Sequence, residues 1–262
     1  MKYVYLIAVF NALLFIVLLF QKKPRALHDN ILIYWLTYLG LFIGIYTIFS
    51  HDLFSGYKLL SISLISFLML HGPFLYLYIQ SLVSGKQRLF LKDLVHLIPF
   101  FLFNLYILVT SFNPVASEKL NIEKLSREFD PAFLFLFFLM LTALSGTLYF
   151  VLTIRLFRKL DIRIFNNYSY SADLDLSWLR WLVLVFGIVW TVLICITVIH
   201  HVFNMFSINF CSDGLFLSLS AFVILIGYFG FKKKVIFSAE EIVVNKDTSK
   251  PLTKYAGSRL TE

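Results

Sequence analysis

The chain has 262 residues, of which 60% are hydrophobic and only 15% are charged. A soluble domain carries about 25% charged residues, so this composition excludes a soluble domain and indicates an integral membrane protein. The formal net charge of +8 would also suit a nucleic-acid binder, but the Lys232–Lys234 run adjoins an apolar segment, where the positive-inside rule and anionic lipid account for it.

Seven apolar stretches are each long enough to cross a hydrocarbon core of about 30 Å, which takes roughly 20 helical residues. They are continuous and do not alternate, which favours helices over a barrel. Inside them there is no Asp, Glu or Lys, and the one Arg is Arg180, near the start of the sixth. We place the predicted spans at residues 3–20, 30–50, 59–83, 94–112, 131–154, 177–206 and 214–231.

The predicted fold class is therefore an all-α membrane protein, a bundle of about seven transmembrane helices with a short cytoplasmic C-terminal tail. The transmembrane domain covers residues 1–231, and a polar linker or tail covers residues 232–262. The first span is followed by "QKKPR" and not by a small-residue cleavage site, so we expect an uncleaved helix and not a secretory signal.

The distribution of Lys and Arg predicts the orientation in the plasma (inner) membrane. Connections after the first, third, fifth and seventh spans are basic, whereas those after the second, fourth and sixth are poorer in Lys and Arg and, taken together, net acidic. We therefore expect the N-terminus outside and the tail in the cytoplasm. The predicted cytoplasmic relay and orientation residues are Arg180, Lys232, Lys233 and Lys234.

Between the spans, the stretch "SEKLNIEKLSREFDP" (117–131) has apolar residues at helical spacing and predicts a short amphipathic helix on the outer interface. Gly40 and Gly44 form a small-xxx-small pair, which most simply indicates a close helix contact within the bundle and less often a dimer face.

The sequence offers little chemistry, and we predict no catalytic residue, no metal site and no cofactor. Cys195 lies within the sixth span and Cys211 in the predicted outer loop, too far apart for a disulfide on a straight helix. His200 and His201 are helical neighbours that point about 100° apart, so they do not face one metal ion from the same side.

His71 stands in the middle of the third span, where a polar side chain is either a functional candidate or an interhelical hydrogen-bonding group. Pro73 frees the carbonyl of Met69 and, beside Gly72, predicts a kink. We therefore expect His71 and the Met69 carbonyl to share a polar pocket. The candidate signal-sensing residues are His71, Pro73, His200 and His201.

Several segments resemble the seven-helix membrane region that precedes the helix-turn-helix domain of membrane-anchored AraC-type transcriptional regulators. The resemblance covers most of the chain and lies in "HGPFLYLYIQSL" (71–82), "DLVHLIPFFL" (93–102), "LSWLRWLVLVFGIVW" (176–190), "GYFGFKKKVIF" (227–237) and "KYAGSRLTE" (254–262). In that family the last segment leads into the DNA-reading domain.

The resemblance implies a sensor or anchor module that passes a signal through its C-terminal linker to a cytoplasmic effector domain. Because the sequence offers no paired nucleophile and base and no recognisable metal cluster, we expect no enzymatic activity. The expected partners are membrane lipid, an unidentified signal ligand and a second copy of the chain, with DNA contacted only through a domain that is not within these 262 residues. The alternatives are a small-molecule transporter or channel and the sensor region of a histidine kinase.

Overall fold

The structure is a computed structural model that describes residues 1–49, 58–84, 88–113, 133–167, 177–203 and 208–232. Every regular element in these ranges is helical. The helices are α1 (Lys2–Gln21), α2 (Leu27–Phe49), α3 (Lys58–Ser84), α4 (Leu91–Leu94), α5 (Ile98–Ser111), α6 (Phe133–Asn167), α7 (Ser177–Phe203) and α8 (Ile208–Lys232), and a 3₁₀ turn (Val95–Leu97) joins α4 to α5.

The helices confirm the expected all-α fold, and within the described residues six segments are long and apolar enough to cross a membrane, as expected of a multi-pass protein. They are α1, α2, most of α3, the continuous Leu91–Ser111 segment, the part of α6 up to Arg158, and Ser212–Phe229 within α8. The described apolar part of α7, Leu179–Cys195, is shorter. A seventh span is therefore not established by length and composition.

Each predicted span coincides with a helical segment, but three helices extend beyond their apolar stretch. Helix α2 already begins at Leu27 and so includes Asp29, and α6 continues to Asn167 through Arg155 and Arg158. Helix α8 begins at Ile208, so Cys211 and Asp213 lie within it and not in an outer loop as predicted. Hydropathy marks where apolar residues end, whereas a helix continues for as long as its backbone groups remain bonded.

Six helices are arranged as a closed ring in the order α1, α2, α3, α6, α7, α8, and α8 also contacts α2. Helix α5 lies outside this ring against α3, where the Asn104 amide donates to Ser66 Oγ at 2.8 Å. The larger apolar core lies among α1, α2, α3, α7 and α8 and includes Phe157 of α6, and a smaller one joins α3, α5 and α6. Helices α3 and α6 therefore border both cores.

Helices α6 and α7 interlock through two glycines. A Cβ on Gly146 would lie 2.0 Å from the Trp190 ring, and a Cβ on Gly187 would lie 2.4 Å from the Phe150 ring. Each helix therefore places an aromatic side chain over a glycine of the other, and Trp190 Nε1 donates to the Ala143 carbonyl at 2.9 Å. Any side chain at either glycine would force these two helices apart.

Gly40 and Gly44 also lie at a helix contact within the chain. A Cβ on Gly40 would lie 3.3 Å from the Ala12 Cβ, and one on Gly44 would lie 3.9 Å from Val9. The pair therefore faces α1, in agreement with the simpler of the two interpretations. The predicted amphipathic helix at 117–131, the connection at 168–176 and the tail from 233 to 262 lie outside the described residues.

Candidate functional site

Pro73 lies inside α3, as predicted, and the carbonyl that it frees is satisfied by a neighbouring helix. Because proline has no N–H, the Met69 carbonyl receives no bond from position 73. Ser145 on α6 donates its hydroxyl to this carbonyl at 3.0 Å. The polar group exposed by proline is thus used to join α3 to α6.

Gly72 allows α6 to approach the same segment closely. A Cβ at this position would lie 2.8 Å from Cδ2 of Tyr149 and 3.1 Å from the backbone oxygen of Ser145. Gly72 and the Met69 carbonyl therefore form one contact surface. We call residues 69–73 the kink segment, after the kink predicted there, and this surface its α6 face.

His71 lies at the centre of the larger core with only 2% of its surface exposed. The indole Nε1 of Trp35, on α2, donates to Nδ1 of His71 at 3.1 Å. Since Nδ1 accepts this bond, the proton of the imidazole lies on Nε2 and the ring is neutral. A neutral ring is also the form that burial in an apolar surrounding favours.

Aromatic rings from three helices surround the imidazole. Its centroid lies 4.9 Å from Phe186 and 6.2 Å from Trp190 on α7, 5.3 Å from Phe222 on α8, and 5.4 Å from Trp35. We call these five residues the His71 cluster. The cluster brings α2, α3, α7 and α8 together around one polar side chain.

The expectation that His71 and the Met69 carbonyl share a polar pocket is wrong. The carbonyl of Met69 points along the helix toward position 73, whereas the side chain of His71 points outward, and the carbonyl meets Ser145 on α6 while His71 meets Trp35 on α2. Each group already has a partner on a different helix. The kink segment therefore has two separate polar contacts.

The other predicted site residues lie away from this cluster or beyond the described side chains. Arg180 is exposed near the start of α7. His200 and His201 lie in the last turns of α7, and their side chains are outside the described part of the chain. Lys232 is the last residue of α8, whereas Lys233 and Lys234 follow the described range.

A polar group that the sequence did not predict joins three helices at one end of the bundle, which we call the Asp213 end. Tyr46 on α2 donates its hydroxyl to Oδ1 of Asp213 on α8 at 2.6 Å. Tyr5 on α1 reaches the same oxygen at 3.4 Å and the Asp213 carbonyl at 3.2 Å. The Tyr46 ring stacks on Phe216 at 3.6 Å.

Asp213 was predicted to lie in a loop because it precedes the apolar stretch. Tyrosines are frequent in the chain and give no signal of their own, so only the packing of α1, α2 and α8 reveals this group. It fixes the start of α8 relative to two other helices.

A second carboxylate is held at the opposite end, which we call the Asp29 end. Lys22 Nζ lies 2.9 Å from Asp29 Oδ2, and the Ala26 N–H donates to the same carboxylate at 3.0 Å. This arrangement holds the α1–α2 connection with an ion pair and a backbone bond. Lys22 belongs to the basic connection after the first span, and its spacing of seven residues from Asp29 gave no indication of a pair.

The Asp29 end also contains a contact between α6 and the 3₁₀ turn. Nδ1 of His96 lies 2.9 Å from the Tyr149 hydroxyl, and Tyr76 packs against both rings at 5.2 and 6.0 Å. Tyr149 thus contacts Gly72 through its ring and His96 through its hydroxyl. It connects the kink segment to this end of the bundle.

Among the described residues, no group of three or more His, Cys, Asp or Glu side chains is placed to hold a metal ion. No family model matches the chain, and neither a curated protein nor a solved structure matches it.

Proposed function

We propose that the chain is a membrane sensor or anchor module of an AraC-type transcriptional regulator, which passes a signal from its helix bundle to a cytoplasmic effector domain through the C-terminal linker. The family assignment is based on the sequence resemblance. The physical support comes from the His71 cluster, where Phe222 of α8, the helix that leads into the linker, contacts His71 of α3.

The His71 cluster provides a physical route by which a movement of one helix reaches the next. Phe222 lies 5.3 Å from His71 and 5.6 Å from Trp35, ring centre to ring centre, and Lys232 ends α8 ten residues later. A change in the position of α3 or α2 alters the packing around Phe222 because the interior is closely packed. It thereby moves the end of α8 and the linker.

A ligand would drive this change only if it bound one arrangement of the helices more tightly than the other. His71 itself is enclosed by rings and already accepts a hydrogen bond. We therefore propose that His71 transmits the signal and does not contact it. Asp213 is only half-buried and joins the start of α8 to α1 and α2, so we propose this carboxylate as the more accessible place for a signal to act.

The proposed topology has seven spans with the N-terminus outside and the tail in the cytoplasm. Its support is that the described connections at the Asp29 end carry exposed Lys or Arg. The seventh crossing in this topology is α7, which spans the membrane over its whole length and not only over the apolar part Leu179–Cys195. Single cysteines at positions 113 and 167, in a Cys195→Ser, Cys211→Ser background, should label from opposite sides of the membrane. Labelling from one side would contradict this topology.

The functional test joins the chain after Glu262 to an AraC-type DNA-reading domain and measures a promoter reporter. His71→Leu removes the acceptor of the Trp35 bond, and we expect the output to change about fivefold or more, the lower range of allosteric couplings. Pro73→Ala, which restores a backbone donor in α3, should alter the resting output. Both variants should insert normally because Leu and Ala are accepted in lipid.

Thr37→Val is the matched control, since Thr37 is exposed on α2 and its hydroxyl bonds only its own helix, to the Ile33 carbonyl at 2.8 Å. Its output should equal that of the parent. If His71→Leu and Pro73→Ala insert normally and also behave like the parent, the His71 cluster has a packing role and the proposed route is wrong.

A further inference from the structure

Asp213 is a carboxylate without a cationic partner among the side chains that the structure describes. The other described carboxylates are buried: Asp29 pairs with Lys22, and Asp93 accepts a bond from the Phe90 N–H at 3.0 Å. Asp213 is instead half-buried, and its side chain is bonded by neutral hydroxyl groups. A carboxylate at the edge of an apolar helix is costly unless a cation compensates its charge. Its position therefore favours the binding of a positively charged group.

Two tyrosines fix one oxygen of this carboxylate and leave the other for a ligand. Both hydroxyls reach Oδ1, Tyr46 at 2.6 Å and Tyr5 at 3.4 Å. The Tyr46 distance is typical of a hydroxyl that donates to an ionised carboxylate. Oδ2 of Asp213 accepts no hydrogen bond from any described residue. The carboxylate is therefore oriented before a ligand arrives, which lowers the cost of binding.

Exposed apolar side chains lie on the same face of α8 as Asp213. Phe210 precedes it by three residues and Leu217 follows it by four, and such steps keep side chains on one face of a helix. Their exposed fractions are 57% and 36%. Met1 is also exposed, and its Sδ lies 3.8 Å from the Tyr5 hydroxyl. The surroundings of the carboxylate therefore suit a ligand that combines a cationic group with an apolar part.

We propose that Asp213 binds the ammonium group of a primary amine with an apolar substituent, and that an N–H of this ammonium donates to Oδ2. A primary ammonium supplies both the compensating charge and the donor of a charge-assisted hydrogen bond. A free amine and the ethanolamine headgroup of a phospholipid share this chemistry. The inference rests on the proposed function only in taking Asp213 as the place where the signal acts, and binding can be measured without an effector domain.

The first test measures binding of phenethylamine to the full chain, purified in a neutral detergent, by isothermal titration calorimetry. The N,N,N-trimethyl derivative has the same charge and ring but no N–H to donate, so we expect it to bind about tenfold more weakly. Asp213→Asn removes the charge but keeps an oxygen that can accept the tyrosine hydroxyls. It should lower the affinity for phenethylamine by at least about tenfold.

A second titration, followed by native mass spectrometry, distinguishes the two sources of the ammonium. It compares phosphatidylethanolamine with phosphatidylcholine, whose headgroup has no N–H. A preference for phosphatidylethanolamine that Asp213→Asn abolishes would support the proposal and assign a lipid headgroup. Phenethylamine binding without this preference would support the proposal and assign a free amine.

Thr47→Val is the control, because Thr47 follows Tyr46 on α2 and its hydroxyl bonds the Ile43 carbonyl of the same helix at 2.7 Å. Its affinities should equal those of the parent, and far-ultraviolet circular dichroism should show that each variant is folded. The proposal is overturned if neither the amine nor phosphatidylethanolamine binds, if Asp213→Asn leaves their binding unchanged, or if phenethylamine and its trimethyl derivative bind equally well.

These outcomes are separate from the test of the proposed function. Absence of binding would contradict the amine site and leave the sensor proposal standing. An amine that binds at Asp213 without changing the reporter output would instead contradict the signal-sensing role of Asp213 and leave the amine site standing.

Discussion

The two faces of the kink segment in α3 each supply a buried polar group with a hydrogen-bond partner, but they do so in different ways. On the α6 face, a backbone carbonyl is bonded by Ser145 and a glycine lets the helices approach. On the opposite face, a bulky His71 is bonded by Trp35 and surrounded by aromatic rings. A polar group in a membrane interior needs a hydrogen-bond partner. The Met69 carbonyl obtains its partner because the two helices approach closely, whereas His71 obtains its partner from a large side chain, Trp35.

The difference shows what each face can tolerate. A face built on close approach has no room for an added atom, because the neighbouring backbone cannot move independently. A face built on rings depends on keeping donor and acceptor matched, since a buried group that loses its partner costs free energy. Added volume should therefore disrupt the α6 face, and removal of one polar partner should disrupt the His71 face.

The largest effect is expected from Gly72→Ala. The new Cβ would lie 2.8 Å from Cδ2 of Tyr149 and 3.1 Å from the Ser145 carbonyl oxygen, and such overpacking costs about 1–3 kcal/mol. Gly214→Ala is the control, because a Cβ there has nothing within 4 Å and alanine improves helix propensity by about 1 kcal/mol. Gly72→Ala gains the same propensity term, so the free energies of unfolding, measured by SDS titration in mixed micelles, should differ by the overpacking cost alone, up to about 3 kcal/mol.

An equal response of the two glycine variants would mean that α6 does not depend on close approach at position 72. In that case the contrast between the two faces would be wrong. Reporter output of the Gly72→Ala variant does not distinguish these outcomes, because a misfolded bundle would also change the output.

A smaller loss is expected from Trp35→Phe. The change removes the N–H that His71 Nδ1 accepts at 3.1 Å and leaves a buried acceptor unpaired, which costs about 1–3 kcal/mol. The double variant Trp35→Phe, His71→Leu removes both partners, so it should cost less than the sum of the two single changes. A double-mutant cycle in micelles measures this difference, and strict additivity would show that the hydrogen bond contributes nothing.

The sequence predicted the helices well because long apolar runs and their flanking bases carry a strong signal. It also predicted His71 and Pro73 as neighbours in α3, since their positions require no tertiary information. It failed on the pocket, because the direction in which each group finds its partner depends on which helices pack on which face. The aromatic residues over Gly146 and Gly187 were equally unpredictable, since aromatics are abundant throughout the chain.

The two carboxylates show the same limit. Asp29 and Asp213 both flank predicted spans, and hydropathy treats them alike as the ends of apolar runs. The structure places one in an ion pair with Lys22 and the other between two tyrosine hydroxyls. These partners lie on other helices or across a connection, so no local pattern specifies them.

The smallest expected effect tests the Ser145 bond itself. Ser145→Ala leaves the Met69 carbonyl unpaired, and interhelical hydrogen bonds in membranes average about 0.6 kcal/mol with a maximum near 1.7. In a Pro73→Ala background, residue 73 regains an N–H that can bond the Met69 carbonyl within α3. Ser145→Ala should then cost less than it does in the parent, as measured by SDS titration of all four variants. If its cost is the same with proline or alanine at position 73, the hydroxyl contributes through packing alone, and the α6 face depends on Gly72 and not on the freed carbonyl.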